Sequence, residues 1–472
     1  MQDLSAIIVF TVHPVALARQ EPCSCGSRAA ANRDGSPPRS TIARSNWMPD
    51  SPSGRYSPQA WVVAVAVCVI LHPQNTHGQR RKKSDELSPV LLEYALTVDE
   101  FLQLEGKVGT VVTKMGATYT DAKITRVRLD RGRSYPAVVS VLETDSKRSR
   151  PVLIRNLARL TIAEAVYEPE HIWGSRQYLL IDVNQRDMDA QQRLQRSRNR
   201  FWEESSPEEM KEFVEEEHEF LKMVQRRFSG LNMKLYETEY FLFLTDIPKK
   251  QVKPYFAQLD HMNESLGRSF GFEEGHNVWR GKAVIVAFMH EAAFHTFERQ
   301  VLNNNDVAGA QGICHSFPNG RVVVGCVRGD SPSFFGIVLV HETAHGYIHR
   351  YRSTARVPSW INEGIADWVA GLTVRSSNAV RERQTTAAGR IRLTRSLGGF
   401  FQREHIEPWQ YGLASSMIGL LATRDNNQFR RFFNDIKNGY TWQESLKRHY
   451  EMTPEKLAAT YGHETGIPGL RP

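Results

Sequence analysis

The stretch VLVHETAHGY at residues 338–347 sets two histidines and a glutamate within an apolar run of helical character. Residues four apart lie on one face of a helix, so His341 and His345 can bind the same ion. Glu342 then lies beside that ion and can reach a water molecule bound to it. The pattern therefore predicts a helix with two metal ligands and a general base, provided that a third ligand exists elsewhere in the chain.

A candidate for the third ligand follows in PSWINEGIADW, residues 358–368. Pro358 or Ser359 is a suitable start for a second helix. Glu363 then lies one turn in and faces the first helix if the two form an antiparallel hairpin. Asp367 lies on the same face and can accept the N–H of a ligating histidine, which fixes its tautomer. Two histidines, one glutamate and a position for water are typical of catalytic zinc sites.

Residues 338–368 resemble the gluzincin metallopeptidases, the family that contains thermolysin and the aminopeptidase-N-like enzymes. The resemblance is carried by His-Glu-x-x-His and by the Asn-Glu-x-x-x-Asp run at residues 362–367, which is similar to the thermolysin-like pattern. It implies one zinc ion and a set of roles: zinc ligands His341, His345 and Glu363, general base Glu342, and histidine-orienting carboxylate Asp367.

Two features depart from the family pattern. The gap between His345 and Glu363 holds seventeen residues, one or two fewer than in the best-known members. The Gly-x-Met-Glu-Asn motif of the aminopeptidases is missing, which disfavours an aminopeptidase.

The resemblance also implies an α+β fold for a metallopeptidase-like domain at residues 233–465, with a small mixed β-sheet, a helical subdomain and a cleft between them. The residue patterns favour strands alternating with helices, followed by an almost entirely helical part. The predicted elements are strands at Leu235–Leu244 and Ala283–Phe288, helices at Pro248–Phe270 and 290–302, a hairpin at 311–327, active-site helices at 332–352 and 359–375, and C-terminal helices at Leu413–Thr423, Asn427–Lys437, Trp442–Tyr450 and Pro454–Tyr461.

The predicted hairpin carries two cysteines and an exposed edge. Cys314 and Cys326 flank the turn sequence FPNG at residues 317–320, although a two-residue Asn-Gly turn pairs residue 314 with 325. The cysteines could form a disulfide in an exported protein, and two buried free thiols fit the sequence equally well. One strand of the hairpin can also provide the edge along which an extended peptide docks.

Peptide hydrolysis further needs a group that stabilises the oxyanion of the tetrahedral intermediate. Tyr411 is a candidate because gluzincins often use a downstream tyrosine or histidine. Core packing of a tyrosine at the start of a helix is the alternative. His405 and Tyr347 are weaker candidates for the same role.

Three further histidine patterns are predicted to be structural or exposed. His349 continues the four-residue spacing, but three histidines over two turns of a straight helix cannot reach one ion. His290 and His295 are five residues apart and point in different directions. His463 has no partner histidine nearby in the sequence.

Upstream of the metal motif the chain divides into three regions. Residues 1–83 are predicted to be a disordered leader, with Ser, Pro, Arg and Gly abundant at 1–47. Residues 95–166 alternate short β-prone runs with turns and predict a small β-module, to which the sequence assigns no partner. Residues 170–230 are dense in Arg and Glu with helical periodicity and predict a charged helical connector.

The leader contains AWVVAVAVCVIL at residues 60–71, an apolar run with Arg55 before it and small or polar residues after it. Its length and flanks are typical of the core of a secretory signal peptide, and it is too short to cross a bilayer. We therefore expect a secreted or cell-envelope protein without a stable membrane span, with a cytoplasmic protein as the alternative.

The net charge of +8 is concentrated in the leader, because residues 1–83 hold ten Lys and Arg against four Asp and Glu. The arginine run at residues 193–200 is followed by a glutamate-rich stretch at 203–219 that neutralises it. The distribution of charge disfavours a nucleic-acid partner.

Together the patterns predict a zinc-dependent hydrolase that cleaves peptide bonds in a peptide or protein substrate. A zinc hydrolase of a non-peptide amide is the first alternative. A catalytically silent metal-binding or interaction protein is the second, although such a protein has no need of a base at Glu342.

Overall fold

The computed structural model describes residues 8–12, 92–143, 148–172, 175–271 and 275–472. The apolar segment at residues 60–71, on which the export prediction depends, lies outside these ranges, as does most of the predicted leader. The described chain has an α+β fold with two sheets and a helical C-terminal part.

The strands are numbered in chain order. They are β1 Ile8–Val12, β2 Val108–Thr113, β3 Thr118–Leu129, β4 Pro136–Leu142, β5 Arg150–Leu153, β6 Leu157–Ile162, β7 Ala165–His171, β8 Tyr178–Asp182, β9 Lys234–Glu237, β10 Phe241–Thr245, β11 Ala283–Phe288, β12 Gly312–Ser316 and β13 Val322–Val327.

The helices follow the same numbering. They are α1 Val98–Leu102, α2 Val183–Arg196, α3 Pro207–Arg227, α4 Lys249–Phe270, α5 Glu291–Gln300, α6 Pro332–Arg350, α7 Ser359–Thr373, α8 Ala379–Thr394, α9 Gln410–Arg424, α10 Asn426–Lys437, α11 Trp442–Tyr450 and α12 Pro454–Glu464. Among the helices of residues 92–472, none combines the length and the apolar composition that crossing a membrane requires.

The first sheet is antiparallel, with the strand order β5-β4-β3-β2-β6-β7-β8, and forms a β-module at residues 92–182. The module was predicted to end at residue 166, whereas β7 and β8 continue the sheet to Asp182. Glu168, Pro169 and Glu170 lie within β7. Because these residue types are uncommon in strands, the sequence of β7 gives a weak strand signal.

The connector consists of α2 and α3. Helix α3 begins with a capping box in which the Ser206 side chain accepts from the Glu209 N–H and the Glu209 carboxylate accepts from the Ser206 N–H. Between the two helices, Trp202 donates its indole N–H to the backbone oxygen of His349 at 3.0 Å. The connector is thereby attached to the C-terminal end of α6, the helix that contains the His-Glu-x-x-His motif.

The second sheet is mixed, with the order β1-β12-β13-β11-β10-β9. Strands β10, β11 and β13 are parallel, and the remaining pairs are antiparallel. The segment Leu235–Leu244, predicted as one strand, forms the antiparallel pair β9 and β10. A turn at residues 238–240 reverses the chain, and the Thr238 hydroxyl accepts from the Phe241 N–H at 3.2 Å.

Helix α6 lies between this sheet and the other helices. It packs against β12 and β13 on one side and against α7 on the other. One continuous apolar core includes residues of the sheet, of α6 and of the C-terminal helices. The helices predicted at 332–352 and 359–375 are present as α6 and α7, so the two motif segments are neighbours.

The C-terminal end of α6 is held by a buried lysine. Nζ of Lys437 on α10 donates to the backbone oxygens of Ile348 and Ala355 at 3.1 and 3.0 Å. Burial, reinforced by Arg350 and Arg352, lowers the pKa of Lys437 from 10.5 to about 7. Between these values the unfolded chain binds more protons than the folded chain, so this residue makes the free energy of unfolding rise with pH.

Lys437→Met is expected to remove that pH dependence. The unfolding free energy of wild type minus that of the variant should increase as the pH rises from about 7 to 10, because only the wild type has a group that is neutral in the folded chain and protonated in the unfolded chain over this range. Urea denaturation at several pH values measures the difference. A difference that stays constant or shrinks over this range contradicts the assignment.

Candidate metal centre

Helix α6 carries its polar motif residues inside the protein core. Its residues from Phe335 to Ile348 are all buried. His341 and His345 are each 1% exposed and Glu342 is 0% exposed. Buried polar side chains are costly unless they have partners. The partners here come from α7, α8 and β12.

Three side chains from α6 and α7 converge on one point. The Nε2 atoms of His341 and His345 are 3.0 Å apart. Oε2 of Glu363 lies 3.2 Å from Nε2 of His341 and 3.3 Å from Nε2 of His345. One atom from each of the three residues could hold a metal ion, and the described ranges contain no second group of this kind.

Asp367 sets the orientation of His341. Its Oδ1 atom lies 2.8 Å from Nδ1 of His341 and 3.0 Å from Nη2 of Arg383 on α8. Burial raises the pKa of Asp367, but Arg383 and His341 outweigh this effect and hold the pKa below its ordinary value. The ionised carboxylate therefore accepts the Nδ1–H of His341 and leaves Nε2 as a lone-pair donor.

This tautomer makes the site suitable for a cation. Burial raises the pKa of Glu363, but His345 and His341 outweigh it and lower the pKa to about 2. Burial lowers the pKa of His341, but Asp367 and Glu363 outweigh this effect and raise it. In the metal-free site a proton can therefore lie between Nε2 of His341 and the ionised Glu363 carboxylate 3.2 Å away. Two electron-rich atoms at this distance repel each other unless a proton or a metal ion lies between them. Imidazole nitrogen and carboxylate oxygen are common ligands of divalent transition metals.

Glu342 lies in a different environment from Glu363. Its side chain packs against Gly312 of β12, where an added Cβ would lie 2.7 Å from Cγ of Glu342. Burial raises the pKa of Glu342 to about 8, although His345 and the backbone of Cys314 act in the opposite direction. Glu363 is therefore suited to metal ligation, whereas Glu342 can hold and release a proton near neutral pH.

Tyr411 lies beside the three converging side chains, at the start of α9. Its ring is stacked on that of His341, with centroids 6.2 Å apart and planes 30° apart. Burial, together with Glu363 and Glu342, raises the pKa of Tyr411 well above its ordinary value. The hydroxyl therefore stays protonated and can act as a hydrogen-bond donor.

The two weaker oxyanion candidates lie in other surroundings. The ring of Tyr347 packs against Phe270 and Trp279, with centroid distances of 6.2 and 5.9 Å. His405 is exposed in the segment before α9. Tyr411 is the one of the three that contacts a residue of the candidate metal centre.

The remaining histidines have structural or exposed positions, in agreement with the prediction. Burial lowers the pKa of His349 to about 3, and its ring contacts Trp202 with centroids 5.3 Å apart. His295 lies 3.4 Å from Glu291 on the same helix. His463 is exposed.

The predicted hairpin is present as β12 and β13, in a different register. Cys314 pairs with Val324, and Gly312 pairs with Cys326, because five residues at 317–321 connect the strands. Both cysteines are buried and free, which is the second of the two predicted alternatives. Strand β1 pairs along the outer edge of β12. An extended peptide can therefore reach this edge only if β1 leaves it.

Two residues at the centre were not predicted from the sequence. Arg383 belongs to the polar stretch AVRERQTTAAGR at residues 379–390, whose composition resembles that of a solvated helix. No spacing in the sequence connects Arg383 with Asp367. The only available signal for Gly312 is a glycine at the start of a buried strand, which often marks a close approach of another group.

Asp367→Asn is expected to weaken metal affinity about 10–100-fold, because an amide does not stabilise the required tautomer of His341. Competition with a chromophoric chelator at pH 7 measures the affinity. Asp306→Asn removes an exposed carboxylate outside the candidate metal centre and serves as the control. Equal affinities for wild type and Asp367→Asn contradict the orienting role.

Gly312→Ala is expected to destabilise the protein by about 1–3 kcal/mol. The new methyl group would lie 2.6 Å from Cγ1 of Val338 and 2.7 Å from Cγ of Glu342, within the core. Gly230→Ala is the matched control, since no atom lies within 4 Å of its added Cβ. Urea denaturation of both variants measures the effect, and equal stabilities contradict the close packing of β12 on α6.

No protein-family model matches this chain, and no curated protein matches its sequence. Its function therefore has to be inferred from its own side chains.

Proposed function

We propose that this chain is a zinc-dependent hydrolase of the gluzincin type that cleaves peptide bonds. The observation that carries the proposal is the convergence of His341, His345 and Glu363, with their ligand atoms 3.0–3.3 Å apart beside the buried Glu342. Zinc held by two imidazoles and one carboxylate supplies a Lewis acid for the carbonyl and lowers the pKa of a bound water.

Glu342 is the proton carrier in this proposal. In the metal-free site burial raises its pKa to about 8, and a cation nearby lowers that pKa, so the residue enters the reaction as a carboxylate. It accepts a proton from the attacking water and delivers it to the amine that leaves. A carboxyl whose pKa lies near the working pH suits both steps.

Tyr411 and Asp367 have supporting roles in this proposal. The protonated hydroxyl of Tyr411 donates a hydrogen bond to the oxyanion of the tetrahedral intermediate. Asp367, itself held ionised by Arg383, keeps His341 in the tautomer that ligation requires. Both roles depend on α8 and α9 packing against α7.

A peptide is favoured over other amides by the position of β12. Its residue Gly312 covers Glu342, and its outer edge already pairs with the extended backbone of β1 in antiparallel register. If β1 leaves this edge, an extended substrate can use the same backbone groups as an added strand. A small non-peptide amide gains nothing from that edge.

The proposal is tested by incubating the full chain with a peptide library and detecting new termini by mass spectrometry. We expect cleavage in the presence of one equivalent of zinc, loss of cleavage after chelation, and recovery when zinc is restored. Cleavage that is insensitive to chelation contradicts the proposal. Hydrolysis of simple amides without cleavage of peptides favours the alternative substrate class.

A further inference from the structure

A cavity lies between the β-module and the C-terminal helices. Its volume is about 1080 Å³, and side chains of the β-module, of α2 and of α10 line it. Tyr351, directly after α6, also lines it, so the cavity is near the end of α6 and not at the motif residues. Its size is in the range of known ligand-binding pockets.

The cavity lining is rich in charge, with eight Lys and Arg side chains and six carboxylates. Most of the carboxylates already have cationic partners. The pairs are Glu170 with Arg431 at 2.6 Å, Glu168 with Arg159 at 3.1 Å, Asp187 with Arg186 at 3.0 Å, and Asp435 with Arg448 at 2.9 Å.

Three of the eight cations, Lys114, Arg193 and Arg430, form no ion pair with a carboxylate, and Arg193 instead donates to the backbone oxygen of Asn438 at 3.3 Å. Within the described ranges, neither Lys114 nor Arg430 has a carboxylate oxygen within 4.0 Å. Burial and Arg430 lower the pKa of Lys114, while Glu170 raises it. Lys114 lines the cavity from the β-module, and Arg430 lines it from α10.

The absence of a side chain at Gly271 leaves space for the guanidinium group of Arg430. Gly271, with φ of 85°, ends α4, and a Cβ there would lie 2.3 Å from Nη1 of Arg430. Arg352 and Arg186 line the same cavity as Arg430. Nη2 of Arg352 is 3.9 Å from the nearest carboxylate, so its charge is only weakly matched.

We propose that this cavity binds a polyvalent oxyanion of the phosphate-ester class, held between Lys114 of the β-module and Arg430 and Arg352 of the C-terminal part. Neighbouring cations without carboxylate partners repel one another, and an anion between them offsets that repulsion. The guanidinium group matches two phosphate oxygens at once, and the lysine adds a point charge. The site does not depend on the proposed hydrolase activity.

The test uses the full chain with pyrophosphate as the probe, in calorimetric titration and in thermal melts at constant ionic strength, since salt screens such contacts. We expect saturable binding of one pyrophosphate per chain and a higher Tm. Arg430→Gln and Lys114→Gln are each expected to weaken binding by about tenfold or more. They lie in different parts of the fold, so a variant that fails to fold leaves the other informative.

Arg159→Gln is the matched control, because it removes the same charge from the same cavity at a position already paired with Glu168. Its affinity for pyrophosphate should stay within about twofold of wild type. Without anion, Lys114→Gln should melt at the same temperature as wild type or higher, because it removes the repulsion with Arg430. A purely structural lysine would give a lower melting temperature.

Three results overturn the proposal. They are the absence of saturable pyrophosphate binding, an equal loss of affinity in Arg159→Gln and Arg430→Gln, and binding of citrate without binding of pyrophosphate. The second would mean that only the net charge of the surface attracts the anion. The third would assign the cavity to polycarboxylates.

Discussion

Glu342→Gln is expected to lower kcat for peptide hydrolysis by about 10²–10⁴-fold while the bound zinc is retained. The amide has nearly the same volume as the carboxyl but can neither take up nor deliver a proton. The fold should tolerate it, because burial raises the pKa of Glu342 to about 8 and the metal-free protein already holds the group without a charge at neutral pH.

Glu291→Gln is the matched control for this variant. Glu291 begins α5, and its side chain is 65% exposed, so activity should stay within about twofold of wild type. Metal analysis of each variant distinguishes two results that would contradict the prediction. Full turnover by Glu342→Gln with zinc bound contradicts the proton-carrier role, and loss of zinc means that Glu342 acts as a ligand.

The two glutamates of the candidate centre differ in pKa because one lies among the histidines and the other packs against a strand. Glu363 lies among imidazoles, which lower its pKa to about 2. Glu342 lies one residue from His341 on α6 but turns toward β12, where burial dominates. In the metal-free protein at neutral pH, Glu363 is therefore ionised and Glu342 is protonated, because their neighbours differ.

The sequence predicted the motif helices because the signals for them are local. The four-residue spacing of His341 and His345, and the proline and serine at 358 and 359, depend only on helix geometry and on helix starts. These features placed α6 and α7 within two residues of their observed ends. The orientation of Glu363 toward the histidines followed from the same geometry.

Contacts between distant segments could not be predicted in this way. Arg383 reaches Asp367 from α8, and β1 pairs with β12 from the opposite end of the chain. Lys114 and Arg430 line the same cavity only because the β-module packs beside α10. Such contacts depend on how whole elements pack, for which no short sequence pattern provides a signal.

His345→Ala is expected to reduce bound zinc from about one ion per chain to none, and to abolish hydrolysis. The variant removes one of three ligands, and the two that remain do not complete a zinc site. It also removes the largest influence that lowers the pKa of Glu363, so the remaining carboxylate becomes easier to protonate and a weaker ligand. Metal analysis after dialysis measures the stoichiometry.

His463→Ala is the control, since it removes the same kind of side chain from an exposed position outside the centre. It should keep its zinc and its activity. Glu342→Gln and His345→Ala then separate chemistry from metal binding, because the first variant should lose only turnover and the second should lose both. An unchanged zinc content in His345→Ala would mean that the ion is bound elsewhere, and the convergence of His341, His345 and Glu363 would no longer support a hydrolase.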